Sequence, residues 1–225
     1  MALTITPGTT TRTLIRGEAG DIELLIDSPK DAVRGIAVVG HPHPMQGGTA
    51  DHKVPHQLAR ELSAHGFLAV RPNFRGVGAT QGEHDAGVGE TNDMLAVVDH
   101  LREQYPGLPL ALAGFSFGAF VAALASVQLT QRGVAIDHLI LTGMPSGPVA
   151  NHRSYDTPPV AANALVIHGE NDERVALSAI FDWARPQQLP VVVVPGADHF
   201  FTGKLPVLRR QVASYLERPV SSAEA

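Results

Sequence analysis

Apolar residues in this chain fall into short, nearly unbroken runs separated by longer stretches in which apolar positions recur at helical spacing. Six runs, at residues 35–39, 67–72, 108–113, 138–142, 164–168 and 191–194, are too short for helices and too continuous for strands with one wet face. They predict parallel strands buried on both sides. Between and after them, residues 54–65, 91–104, 117–130, 175–184 and 205–216 read as helices. Ahead of the first run, residues 12–17 and 22–27 flank Glu18-Ala19-Gly20 and predict an antiparallel hairpin at one sheet edge. The expectation is an α/β fold with about eight strands in a mostly parallel sheet, helices on both faces, and a single domain over residues 1–225. Residues 219–225 read as a frayed tail.

In such sheets reactive groups gather where the strands end, so the loops after each strand are the places to search. Gly114-Phe115-Ser116-Phe117-Gly118 joins the run at 108–113 to the helix at 117–130. A strand turning sharply into a helix pushes the central serine out of the backbone toward a base, which makes Ser116 a candidate nucleophile. The competing reading is a tight turn with a capping serine. After the run at 164–168, Asp172 is the candidate acid, with Glu170 as its rival. After the run at 191–194 comes His199 as candidate base, with Asp198 beside it in sequence. A neutral imidazole can take the serine proton, and a carboxylate on its other nitrogen fixes the tautomer.

Such a reaction also needs an oxyanion hole of two amides. The Phe117 N–H, directly after the nucleophile, is one candidate. The other lies in the loop 40–49, where Pro42 and Pro44 carry no N–H, leaving His43 or Met45. His43 is nearer the strand end and is preferred.

Several alternatives drop out. The pairs His41/His43 and His52/His56 could suggest a metal, but no carboxylate completes either pair at a familiar ligand spacing. Gly47-Gly48 lacks the lysine of a phosphate loop. No cofactor is expected. With a net charge of −5 there is no basic field for nucleic acid, and zero cysteines excludes disulfides and a thiol nucleophile. No apolar run reaches membrane-spanning length and no signal segment is seen, so a cytoplasmic protein without a membrane partner, monomer or homodimer, is the expectation.

These residues together carry a family resemblance. His41-Pro42-His43-Pro44 with Gly47-Gly48, Asn73-Phe74-Arg75-Gly76-Val77-Gly78, the Ser116 pentapeptide, His168-Gly169-Glu170-Asn171-Asp172 and Gly196-Ala197-Asp198-His199-Phe200-Phe201 resemble the small bacterial α/β-hydrolases of dienelactone-hydrolase-like or carboxylesterase-like type. The resemblance implies Ser116 as nucleophile, Asp172 as acid, His199 as base and His43 as oxyanion-loop donor. The dienelactone hydrolases proper use cysteine, so their ring-opening specificity is not implied. The expected activity is that of a serine hydrolase acting on an ester or thioester of a small acyl substrate. An amidase or peptidase with the same triad, or a non-catalytic binding module, are the alternatives.

Three further expectations concern the surroundings of Ser116. The connection 143–163, rich in proline and without a long apolar helix, predicts a small flap and no lid. Phe115, Phe117, Phe200 and Phe201 line an acyl pocket or pack in the core. Arg75 holds the acidic loop 81–90 through Glu83, Asp85 or Glu90, or faces substrate.

Overall fold

The computed structural model describes residue 3, residues 5–149 and residues 153–217; the tail expected at 219–225 lies outside them. Eight strands form one sheet in the order β1-β2-β4-β3-β5-β6-β9-β10. The edge hairpin pairs β1 (Thr10–Arg16) with β2 (Asp21–Asp27), and β2 runs antiparallel to β4 (Phe67–Pro72). From there β3 (Gly35–Gly40), β5 (Leu110–Phe115), β6 (His138–Thr142), β9 (Leu165–Gly169) and β10 (Val191–Val194) are all parallel. This is the α/β-hydrolase fold.

Side chains along the central strands alternate between two cores. Ile36, Val38, Leu68, Val70, Leu110 and Leu112 face α2 (Val88–Gln104), α3 (Phe117–Gln131) and α4 (Leu177–Ala184). Ala37, Val39, Ala69, Ala111 and Ala113 face α1 (Lys53–Ala64) and α5 (Leu205–Leu216). Both faces are covered, which is why the strands read as continuous apolar runs.

Element ends differ from the sequence reading at several places, among them one central strand and two helix starts, and at the helix starts polar side chains explain it. The third central strand begins at Leu110 and extends to Phe115, with Gly114 pairing Leu141 and Phe115 pairing Thr142. Helix α2 starts at Val88 because Glu90 accepts the Gly87 amide at 2.8 Å and the Asp85 amide at 3.0 Å. Helix α4 starts at Leu177 because Asp172 Oδ1 accepts the Arg174 and Val175 amides at 2.9 and 2.8 Å, closing a turn first.

Between β6 and β9 the described residues contain only a short antiparallel hairpin, β7 (Gly147–Val149) and β8 (Arg153–Tyr155). This is the small flap, and among the described residues no lid covers the sheet. Arg75 is structural, but through a different partner from those expected. Its Nε and Nη2 donate to Asp93 at 2.7 and 3.1 Å, because Asp85 and Glu90 already serve backbone amides of their own loop.

Candidate active site

Ser116 follows the last residue of β5 and precedes the first of α3. Its backbone sits at φ 54, ψ −124, a region that side chains rarely adopt. Two ties hold it there: its amide donates to Thr142 O at 2.9 Å, and its carbonyl accepts the Ala119 amide at 2.9 Å. The turn also needs a close crossing of backbones. A Cβ on Gly40 would lie 2.7 Å from Gly118 O, and one on Gly114 or Gly118 would collide with Gly118 or Gly40 backbone respectively. Three glycines therefore let β3, β5 and α3 meet beneath the serine.

The loops after β9 and β10 bring two more side chains to it. His199 Nε2 lies 3.0 Å from Ser116 Oγ, and its Nδ1 lies 2.7 Å from Asp172 Oδ2. Asp172 and His199 are 7% and 5% exposed, while Ser116 is only partly buried. Burial raises the Asp172 carboxyl, but the His199 hydrogen bond and charge, helped by the Val175 amide, outweigh it and hold the group below the usual carboxylate range. Glu170 and Asp198 are turned to other work. Glu170 Oε2 accepts the Gly196 amide at 2.8 Å, and Asp198 Oδ1 accepts the Thr202 amide at 2.8 Å.

The loop after β3 is organised by its histidines. His41 is fully buried: its Nδ1–H donates to Pro42 O at 2.6 Å and its Nε2 accepts the Phe74 amide at 2.9 Å. Burial pushes it down to about 4, so it is a neutral strut between the loops after β3 and β4. The His43 ring accepts the Met45 amide through Nδ1 at 3.2 Å, which occupies one of the two candidate oxyanion donors and leaves the His43 amide. That ring packs between His84, at 4.6 Å, and Phe117, at 5.0 Å. Burial first, then the charges of Arg153 and His84, lower it to about 4. His52 caps α1 by accepting the Val54 amide at 3.3 Å, and it stacks on Phe115. Among the described residues no group of three or more metal-ligating side chains exists.

The cleft over Ser116 is small, about 20 Å³, and is bordered by His43, Gln46, Pro145, Val149, Arg153, Tyr155, Arg174, Val175 and His199. Of the four phenylalanines, Phe115, Phe117 and Phe201 are buried packing residues, and Phe200 is partly exposed beside Arg174. A far larger concavity, about 810 Å³, opens at the other end of the sheet and contains Asp27, Ser28 and His56. It forms no second nucleophile: Ser28 Oγ has no hydrogen-bond partner among the described residues, and Asp27 is committed to buried Arg71 at 2.7 Å.

Sequence reading missed His168, whose Nε2 donates to Val175 O at 2.9 Å and lies 3.4 Å from Asp172 Oδ2. It also missed His84, Arg153 and Arg174. The last follows Asp172 by two residues, a signal that was legible; Arg153 and His84 reach the cleft only through tertiary folding.

Comparison with known proteins fits this geometry. Residues 45–165 match the family described as serine aminopeptidase, S33. An uncharacterized protein of Rickettsia prowazekii is 33% identical over 189 residues, 80% of this chain and 78% of that one. A lidless α/β serine hydrolase of Xanthomonas campestris superposes with TM-score 0.84 at 33% identity, covering 99% of this chain and 100% of the other. An α/β serine hydrolase homologue of Coxiella burnetii gives 0.81 at 33% identity over 94% and 99%. The chain belongs to the serine aminopeptidase S33 family of α/β-hydrolases.

Proposed function

We propose that the protein is a serine hydrolase that cleaves a carboxylic ester or thioester of a small substrate through an acyl-enzyme on Ser116. The observation that carries this reading is the chain of contacts from Ser116 Oγ to His199 Nε2 at 3.0 Å and from His199 Nδ1 to Asp172 at 2.7 Å. As Oγ bonds to the substrate carbonyl carbon, its proton passes to Nε2, and Asp172 stabilises the imidazolium. The carbonyl oxygen becomes an oxyanion facing the Phe117 and His43 amides. Phe117 is the first residue of α3, so its N–H has no partner within the helix and the helix dipole favours negative charge there. Collapse breaks the bond to the leaving oxygen or sulfur, which takes the proton from Nε2. Water then repeats the sequence on the acyl-enzyme.

A short hairpin cover supports small, soluble substrates over lipids held under a lid. The family description favours one second reading, amide cleavage by the same groups. A fluorophosphonate probe tests the first step: it should label the wild type and fail to label Ser116→Ala. A binding module that kept the fold would not label at all. Hydrolysis of 4-nitrophenyl butyrate well above that of butyryl 4-nitroanilide supports the esterase reading, and the reverse order overturns it.

A further inference from the structure

We propose that Arg153 and Arg174 form an anion subsite beside Ser116, so that the preferred substrate carries a carboxylate close to its scissile ester; this rests on the hydrolase reading above. The whole chain has a net charge of −5, yet among the described residues the charged side chains other than histidine that border the Ser116 cleft are these two arginines. Neither makes an ion pair among the described residues. The two guanidiniums that are well buried, Arg71 and Arg75, are treated differently. Arg71 donates twice to Asp27, at 2.7 and 3.1 Å, and Arg75 twice to Asp93, at 2.7 and 3.1 Å.

Both cleft arginines are instead held by neutral groups, which position a guanidinium without cancelling its charge. Arg153 Nη1 donates to Tyr155 OH at 3.3 Å, and its buried Nε has no hydrogen-bond partner. A buried N–H left open costs free energy that an incoming acceptor recovers. Arg174 Nη1 donates to Gln46 Oε1 at 3.1 Å, and its Cζ lies 4.8 Å from the centre of the Phe200 ring. Among the described residues no carboxylate borders the cleft itself. The Asp172 side chain is fully buried beneath His199, and Glu90 is fully buried and bonded to backbone amides. The planar fork of a guanidinium matches the two oxygens of a carboxylate in paired hydrogen bonds.

Two matched ester pairs test this with the full-length protein. Mono(4-nitrophenyl) adipate against its methyl ester places the carboxylate on the acyl side. Acetoxybenzoate with the acetoxy group para, against its methyl ester, places it on the leaving group. In at least one pair kcat/KM should favour the carboxylate by about tenfold or more. Arg153→Gln and Arg174→Gln should each bring that ratio toward one, Arg153→Lys should keep part of it, and 0.5 M NaCl should shrink it. Arg174 is exposed, so its variant decides the matter even where Arg153→Gln fails to fold. The proposal is overturned if the neutral partner is cleaved equally well in both pairs, or if the preference survives in Arg174→Gln. If Ser116 neither labels nor cleaves any of the four esters, the hydrolase reading itself falls, and the subsite with it.

Discussion

The two oxygens of Asp172 have separate duties toward His199 and toward the chain: Oδ2 accepts from His199 Nδ1 at 2.7 Å, while Oδ1 accepts the Arg174 and Val175 amides. The amides therefore dictate how an amide side chain would sit in its place. In Asp172→Asn the carbonyl oxygen must face the two N–H groups, turning the NH₂ toward Nδ1. His199 is then forced into the tautomer with its proton on Nε2, facing Ser116, where it cannot act as base. Activity on 4-nitrophenyl butyrate should fall by about 1,000- to 10,000-fold. Glu170→Gln, which leaves this arrangement alone, should stay within several-fold of wild type. Comparable losses in both variants would remove Asp172 from its assigned role.

Ser116 occupies a backbone region at φ 54, ψ −124 that glycine adopts far more readily. Ser116→Ala keeps the strain and Ser116→Gly releases it. The glycine variant should be more stable than the alanine variant by about 1 kcal/mol or more, a rise in Tm of about 2 to 4 °C for a chain of this size. Both should be inactive. Equal melting temperatures would show that the turn is not strained.

Gly118 faces the Gly40 backbone so closely that any Cβ there displaces main chain. Gly118→Ala should destabilise by about 3 kcal/mol or more and yield little soluble protein. Gly133, where nothing lies within 4 Å of an added Cβ, serves as the control; its φ of 72 makes Gly133→Ala only mildly destabilising, by about 1 kcal/mol. A Gly118→Ala variant as stable as that control would contradict the crossing described.

His41 gives folding a pH dependence of defined sign. Its ordinary value is 6.5, and burial lowers it to about 4 in the folded protein. Below 6.5 the unfolded chain takes up a proton that the folded one refuses, so this contribution is complete above 6.5 and lost as pH falls toward 4. It amounts to about 3 kcal/mol over that window. Urea unfolding between pH 7 and 4.5 should show the midpoint falling. His41→Gln should be less stable at pH 7 but lose less on acidification. A variant as pH-sensitive as wild type would exclude His41 as the source.

Arg75 is 11% and Asp93 3% exposed at the side chain. Removing the arginine leaves a buried carboxylate without its partner, and burial already tends to raise that carboxyl. Arg75→Ala should cost about 3 to 5 kcal/mol in stability, with KM unchanged in the folded fraction. A KM effect without loss of stability would return Arg75 to the substrate.

Linear order determined a great deal about this protein. Uninterrupted apolar runs foretold strands covered on both faces, because a strand packed on two sides has no position where a polar side chain reaches water. Ser116 was legible because the strand before it and the helix after it are local features. Asp172 and His199 were candidates for a similar reason: each comes within a few residues of a strand end. What tertiary structure decided were matters of which partner a side chain takes. The sequence reading prefers Asp172 to Glu170 as the acid, but both are carboxylates of one loop, and only the folded loops turn Glu170 to the Gly196 amide and Asp172 to His199. Asp93, not the acidic loop, takes Arg75 because backbone amides claim the nearer carboxylates first. Arg153, 37 residues beyond Ser116, reaches its cleft only because the β7–β8 hairpin folds back over the strand ends. Periodicity and turn chemistry act between neighbours in sequence, whereas the competition among polar groups is settled by distances that exist only after the sheet has formed.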